Sequence, residues 1–390
     1  MQLSGAVDPR FRRVREVFAE NFAKRGELGA AVAVIVAGRT VVDLWGGVAD
    51  RSTRQPWTAA TLALVFSCTK AATALCAHVL ATRGRLDLDA PVTTYWPEFA
   101  AAGKERLPVR MLLNHRAGLP ALDEVLPADA LFDWGRMTAA LAAQAPHWVP
   151  GSAHGYHAMT FGWLVGEVVR RVSGQSLGAF FREQVAGPLG LDFWIGLPAI
   201  FESRVATLRL PPLQAQAKPS ALLLAMRDRG SLVAKAFGNP PGLMAPGRMN
   251  SRAVHAAELP AANGIATARG LAGLYAPLAC GGRWKGIALV DGAALRAMST
   301  VESVGADRIL LVPTRFSAGF MQTIDNRPAD SVIMGPNPEA FGHGGAGGSI
   351  GMADPVAQVA IGYVMNQLGS GVFLNPRGQA LIDAVYDSLA

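Results

Sequence analysis

The sequence predicts a mixed α/β (α+β) protein in which one sheet-bearing domain is assembled from both ends of the chain and a mostly helical domain is inserted between them. Three observations predict it. Residues 30–37 and 40–45 are β-rich runs on either side of a Gly38-Arg39 break, which reads as a hairpin. Strand-like runs return near the end, at 348–353 and 358–365, flanking the turn signal Asp354-Pro355. Between them, residues 86–278 are rich in helix-like stretches interrupted by proline. The expected division is 1–85 with 279–390 for the discontinuous α/β domain and 86–278 for the helical one, which carries a lid-like segment at 210–249.

The elements follow in order. The first 26 residues carry charges throughout and read as an amphipathic helix with Val14, Val17, Phe18 and Phe22 on one side, not as a secretion signal. After the hairpin, residues 61–66 form a strand-like run leading into Ser67. A helical pattern then extends to Arg83, with Gly84 as its cap. Residues 165–172 and 177–185 read as helices, the second closed by Gly187-Pro188, and the last helix covers 378–389.

Composition bounds the function. A chain of 390 residues, 51% hydrophobic and 17% charged, can bury a substantial core and lies away from the disordered regime. No apolar run is long enough to span a bilayer. The formal charge is +7, but it comes from scattered arginines with no basic run interleaved with aromatics, so nucleic acid is not expected as a partner. Three cysteines, Cys68, Cys76 and Cys280, give no disulfide framework, and a cytoplasmic location is the expectation. His154 and His157 form H-x-x-H in a loop with no third ligand, and no dinucleotide or phosphate-loop fingerprint occurs in a strand–loop–helix setting. No metal and no cofactor are expected.

Chemistry concentrates in three places. Ser67-Cys68-Thr69-Lys70 sits at the strand-to-helix junction, where a spacing of three puts both side chains on one face. A serine hydroxyl needs a base, and a lysine serves only when neutral, which requires desolvation or neighbouring cations. Taken alone the pattern also fits a helix cap beside a solvated lysine. Here it is the one lysine with a serine three residues before it, and its neighbours are small or apolar. Second, Trp148-Val149-Pro150-Gly151 precedes Tyr156, a phenol that can relay the serine's proton to a leaving group. Third, Phe341 to Ser349 is glycine-rich and leads into a strand, so its backbone can approach a ligand and offer an amide to an oxyanion. The run Gly347-Gly348-Ser349-Ile350-Gly351 matches G-x-S-x-G, but every histidine precedes Ser349 and no helix follows it, which excludes a nucleophile elbow.

In order along the chain, these elements resemble the serine β-lactamase and penicillin-binding protein superfamily, whose first motif is S-x-x-K. Within it the chain is most similar to the family VIII carboxylesterases, which share the class C β-lactamase fold. Met111-Leu112-Leu113-Asn114-His115-Arg116-Ala117-Gly118-Leu119 and Gly362-Tyr363-Val364-Met365-Asn366 extend the resemblance over nearly the whole chain. It implies a β-lactamase-like fold, with a central antiparallel sheet flanked by helices. It also implies Ser67 as acyl-enzyme nucleophile, Lys70 as its base, Tyr156 as the second-motif tyrosine, and the amides of Ser67 and Ala346 as the oxyanion hole. Two departures matter. Ala158 stands where β-lactamases carry the asparagine of Y-x-N, and His343-Gly344-Gly345 stands where they carry K-T-G. Ala158, His343, Gly344 and Gly345 are thus the substrate-binding candidates, and loss of the polar contacts argues for uncharged esters over β-lactams.

The expected function is a serine carboxylesterase acting on a small-molecule ester with short to medium acyl chains, with weak β-lactam hydrolysis compatible. The alternatives are a β-lactamase, D-alanyl peptidase or transacylase of the same superfamily, and a non-catalytic penicillin-recognising scaffold. Residues 121–145 and 210–249 are expected to wall the pocket. Nothing in the sequence fixes the oligomeric state.

Overall fold

Residues 29–36 are apolar along their whole length because the strand they form is covered on both faces. The computed structural model describes residues 2–210, 219–326, 333–369, 371 and 374–390. In it this strand, β2 (Gly29–Val36), is buried at all but its last position. The remaining strands of its sheet are β1 (Ser4–Val7), β3 (Arg39–Asp50), β4 (Gln55–Pro56), β5 (Ser303–Ala306), β6 (Pro313–Phe316), β7 (Met321–Gln322), β8 (Phe341–Gly344), β9 (Ile350–Asp354) and β10 (Val359–Met365). Their order is β1-β3-β2-β10-β9-β8-β7-β6-β5, with β4 beside β3, and every pairing is antiparallel. The large antiparallel sheet with helices against it is the architecture expected from the sequence. Its two chain-distant halves meet where β2 pairs with β10, with Ala33 opposite Gly362.

Helix α1 (Arg12–Lys24) buries Val14, Val17 and Phe18 and leaves Phe22 partly covered. After β4, only Ala63–Leu64 of the run 61–66 pairs as a strand, in a small three-stranded sheet with Ile265–Ala266 and Phe193–Trp194. Helix α2 (Thr69–Thr82) is buried from Thr69 to Leu80, far more than a surface helix. Helix α3 (Thr160–Ser173) ends on Gly174 with φ 78° and packs beside α2. The helical course from Leu177 passes through Gly187-Pro188 and stops at Gly190 (φ 66°), beyond the predicted break. Proline fixes a helical φ and conflicts only with the preceding turn, which is widened here over Arg182–Ala186.

Helices α4 (Leu232–Gly238), α5 (Ala268–Ala279) and α6 (Pro376–Leu389) complete the frame around the site. Helix α5 lies across β2, β9 and β10, and a Cβ on Gly362 would strike the backbone of Ala268 and Ala272. Helix α6 packs on α1 and begins two residues earlier than read from the sequence. Asn375 caps it through bonds from the Arg377 and Gly378 amides, and Pro376 fills the first turn, where no amide is needed. Strand β9 starts at Ile350 and not at 348, because Gly347 (φ 82°) and Gly348 (φ 121°) belong to the turn, where the Gly348 amide bonds back to the Gly345 carbonyl at 3.0 Å.

Candidate active site

The junction before α2 is tighter than a plain helix start. Ser67 lies in a single 3₁₀ turn, Phe66–Cys68, and not in the first turn of an α-helix. Phe66 has φ 45°, a left-handed conformation unusual for a bulky residue. Thr69 holds it there: its hydroxyl donates to the Phe66 carbonyl and accepts from the Gly264 amide at 2.7 Å. The turn presents Ser67 half-buried at the edge of a cavity, while its neighbours Phe66 and Cys68 point inward.

Lys70 is wholly buried. Its Nζ lies 2.7 Å from the Ala158 carbonyl, 2.9 Å from the Ala261 carbonyl and 3.3 Å from Ser67 Oγ. Burial drives its proton affinity well below that of an ordinary amine, and only Cys68 pulls slightly the other way. Three acceptors surround Nζ, and a neutral amine here would give its two hydrogens to the two carbonyls and turn its lone pair to Ser67. The Tyr156 ring, 4.7 Å below Nζ, completes the cage.

Tyr156 is 5% exposed, and its amide donates to Asp307 Oδ1 at 3.0 Å. Asp307 also accepts from the amides of Ile309 and Leu310, both at 2.8 Å, and from the Thr314 hydroxyl. The phenol is set by rings. Phe316 stacks on it at 6.1 Å and 14°, and His115 lies 5.0 Å away. Burial raises the phenol's pKa above the ordinary value, while a hydrogen bond with the Ser67 side chain acts against the rise. Tyr156 therefore sits beside Ser67 as a neutral phenol.

The glycine-rich segment closes the site. Gly345 packs so closely on the Val65 carbonyl that a Cβ would collide with it, which brings the turn after β8 against the turn bearing Ser67. Among the described residues, the Ala346 amide has no acceptor. Asn375 Nδ2 and the Gly369 amide bond to the Gly347 carbonyl at 2.8 and 2.9 Å and hold the turn. His343 is 2% exposed, its Nδ1 is 2.7 Å from the Gly344 carbonyl, and its Nε2 has no partner among the described residues. Burial lowers its pKa to about 3. Ser349 is buried and precedes a strand, which places it outside any nucleophile elbow.

A cavity of about 40 Å³ is lined by Ser67, Tyr156, His343, Gly344 and Ala346, with Phe237, Leu310 and Met321 as its apolar wall. Ala158 and Gly345 lie behind this lining. Ala158 serves through its carbonyl on Lys70, and Gly345 through its closeness to Val65. Phe237, on α4, is the contribution of the segment 210–249, of which 211–218 lie outside the described residues. Residues 121–145 do not line the cavity. Leu131, Phe132 and Trp134 instead border a separate groove of about 770 Å³. Sequence reasoning missed Asp307, Ala261 and Asn263. Asp307 carries an Asx-turn signal in its bonds to Ile309 and Leu310, but nothing local points to Tyr156, 151 residues away. His154 and His157 are occupied separately, His154 with the Thr314 hydroxyl and His157 with the Gly155 carbonyl and the Leu119 amide.

Comparison with known proteins bears on this arrangement. The family model described as Beta-lactamase matches residues 14–385. Esterase/beta-lactamase LipL of Mycobacterium tuberculosis is 40% identical over 369 residues, 93% of this chain and 83% of that protein. The crystal structure of a family VIII carboxylesterase is 40% identical with a TM-score of 0.90, and that of a penicillin-binding protein homologue from Caulobacter crescentus is 41% identical with a TM-score of 0.88. Each alignment covers 100% of both chains.

Proposed function

The chain belongs to the beta-lactamase family, and from that premise we propose that it is a serine carboxylesterase working through an acyl-enzyme on Ser67. It is a hydrolase of the esterase and β-lactamase fold. The observation that carries the finer reading is the buried Lys70 amine, whose Nζ lies 3.3 Å from Ser67 Oγ between two carbonyls and whose pKa burial drives well below the ordinary value.

Ser67 Oγ attacks the acyl carbon and its proton passes to Lys70, with Tyr156 sharing the transfer. The oxyanion is received by the Ser67 and Ala346 amides, each donor of this kind affecting rate by about 10²–10³-fold. As the acyl–oxygen bond breaks, Tyr156 protonates the departing alkoxide and recovers a proton from Lys70. Water then repeats the sequence on the acyl-enzyme: its proton enters the Lys70–Tyr156 pair, its oxygen forms the carboxylic acid, and Ser67 leaves reprotonated. The small cavity with its Phe237, Leu310 and Met321 wall fits short acyl chains. The neutral His343 and bare Gly344 supply no cation for a β-lactam carboxylate, so ester hydrolysis is favoured over β-lactam hydrolysis. The three cysteines are free, which suits the cytoplasm as the place of action, and no helix among the described residues is long and apolar enough to cross a membrane.

The test is turnover of p-nitrophenyl acetate and butyrate beside nitrocefin, with fluorophosphonate labelling. Ser67→Ala should lose at least about 10⁴-fold in kcat and all labelling. Full activity in that variant refutes the reading, and nitrocefin turnover matching that of the esters reverses the ranking.

A further inference from the structure

His343 is held in one tautomer. Its Nδ1 faces the Gly344 carbonyl at 2.7 Å, and a carbonyl can only accept, so Nδ1 carries the hydrogen. Nε2 is then a bare lone pair, buried and without a partner among the described residues. The other polar groups lining the cavity cannot serve it. The Ser67 hydroxyl is paired with Lys70 Nζ at 3.3 Å, and the phenol of Tyr156 is engaged with the Ser67 side chain. The side chains of Phe237, Leu310 and Met321 offer no donor, and the Ala346 amide, without an acceptor among the described residues, is reserved for the oxyanion. An acceptor left unpaired in the interior is unfavourable, so a ligand that brings a donor gains what the empty site lacks.

The side of the substrate follows from Tyr156. Its phenol protonates the departing oxygen, and the His343 ring lies 6.0 Å from the Tyr156 ring at a 39° tilt. Atoms attached to the leaving oxygen therefore lie beside the imidazole. We propose that His343 is the specificity-determining acceptor of this site, and that it selects esters whose alcohol portion carries a second hydrogen-bond donor, such as the free hydroxyl of a diol or glycerol monoester. This rests on the reading of Ser67 as the nucleophile. The neutral imidazole disfavours alcohol portions bearing a carboxylate, whose charge would face its lone pair. A site with a buried acceptor rejects analogues lacking the donor much more strongly than an apolar pocket rejects one methylene.

The experiment compares kcat/KM for three butyrates: 2-hydroxyethyl, n-propyl (the same number of heavy atoms and no donor) and 2-methoxyethyl (a similar inductive effect and no donor). Wild type should prefer the hydroxyethyl ester over both others by about 10–100-fold. His343→Leu should bring the three within about threefold of one another, and His343→Gln, which keeps a side-chain acceptor, should restore part of the preference. If an ester turns over too slowly, its inhibition constant against p-nitrophenyl butyrate reads the same preference. Equal values for the three esters in wild type overturn the proposal while leaving ester hydrolysis intact, and that comparison stands even if the variants fail to fold. A preference unchanged in soluble His343→Leu overturns it as well. Retained activity in Ser67→Ala, by contrast, defeats the earlier reading and not this one alone.

Discussion

Protonating Lys70 would leave a cation in the interior with no carboxylate bonded to it among the described residues. Acylation therefore depends on pH in one direction. Because burial lowers the folded-state pKa of this amine, the competent neutral form is lost as pH falls through that lowered value. The kcat/KM profile should show an acid limb well below pH 10.5 and then stay level. Tyr156 adds no alkaline limb below pH 10, since burial moves its phenol upward. His343, lowered to about 3, adds none near neutrality. Activity still climbing through pH 10 would mean that Lys70 titrates as a solvated amine. Tyr156→Phe keeps the ring stack on Phe316 and removes the proton relay, so kcat should fall by about 10²–10⁴-fold with little change in melting temperature. At this scale the sequence was informative where identity is chemistry: a serine, a lysine and a phenol can be found by type and spacing. Asp307 could not be found that way, because its bond goes to a backbone amide, and any residue but proline at 156 would supply one.

The elements that support Lys70 do so through carbonyls. The Ala261 carbonyl belongs to the loop 259–264, which Asn263 holds by accepting from the Leu259 amide and donating to the carbonyls of Val254 and Ala257. Asn263→Ala leaves these buried groups unpaired and should lower stability by at least about 2 kcal/mol. It should also reduce kcat about tenfold in the protein that still folds, read by urea unfolding and by assay of the soluble fraction. On α4, Phe237 closes the cavity. Phe237→Ala should raise kcat/KM for p-nitrophenyl octanoate relative to acetate by about tenfold, whereas an unchanged ratio would place the acyl chain elsewhere. The hairpin of β2 and β3 and the closing helix α6 were legible because apolar patterning and turn residues specify them locally. The short strand at Ala63–Leu64 and the 3₁₀ turn at Ser67 were not, since their shape is imposed by the partner loop, whose Gly264 bonds to Val65 and to the Thr69 hydroxyl.

Across the whole molecule, the two ends of the chain are joined by a buried ion pair. Arg377 Nη1 donates to Glu27 Oε1 at 2.9 Å, and Tyr363 donates to Oε2 of the same carboxylate. The guanidinium also donates to the Gln367 carbonyl at 2.7 Å and reaches the Gly347 carbonyl at 3.4 Å, so the pair is tied to the turn that carries Ala346. Arg377→Leu strands a buried carboxyl and should cost about 3–5 kcal/mol, seen as a large fall in melting temperature. The discontinuous sheet was legible from strand patterning at both ends, but this cross-chain pair was not, because residues 350 positions apart leave no local trace. The pairing of β2 with β10 has a temporal consequence. A nascent polypeptide emerging from the ribosome exposes Ser67 and Lys70 early, yet Ala346, whose amide is proposed to receive the oxyanion, is translated about 280 residues after Ser67, by the order of the chain. On the proposed mechanism, Ser67 is expected to become reactive only once the last strands have docked.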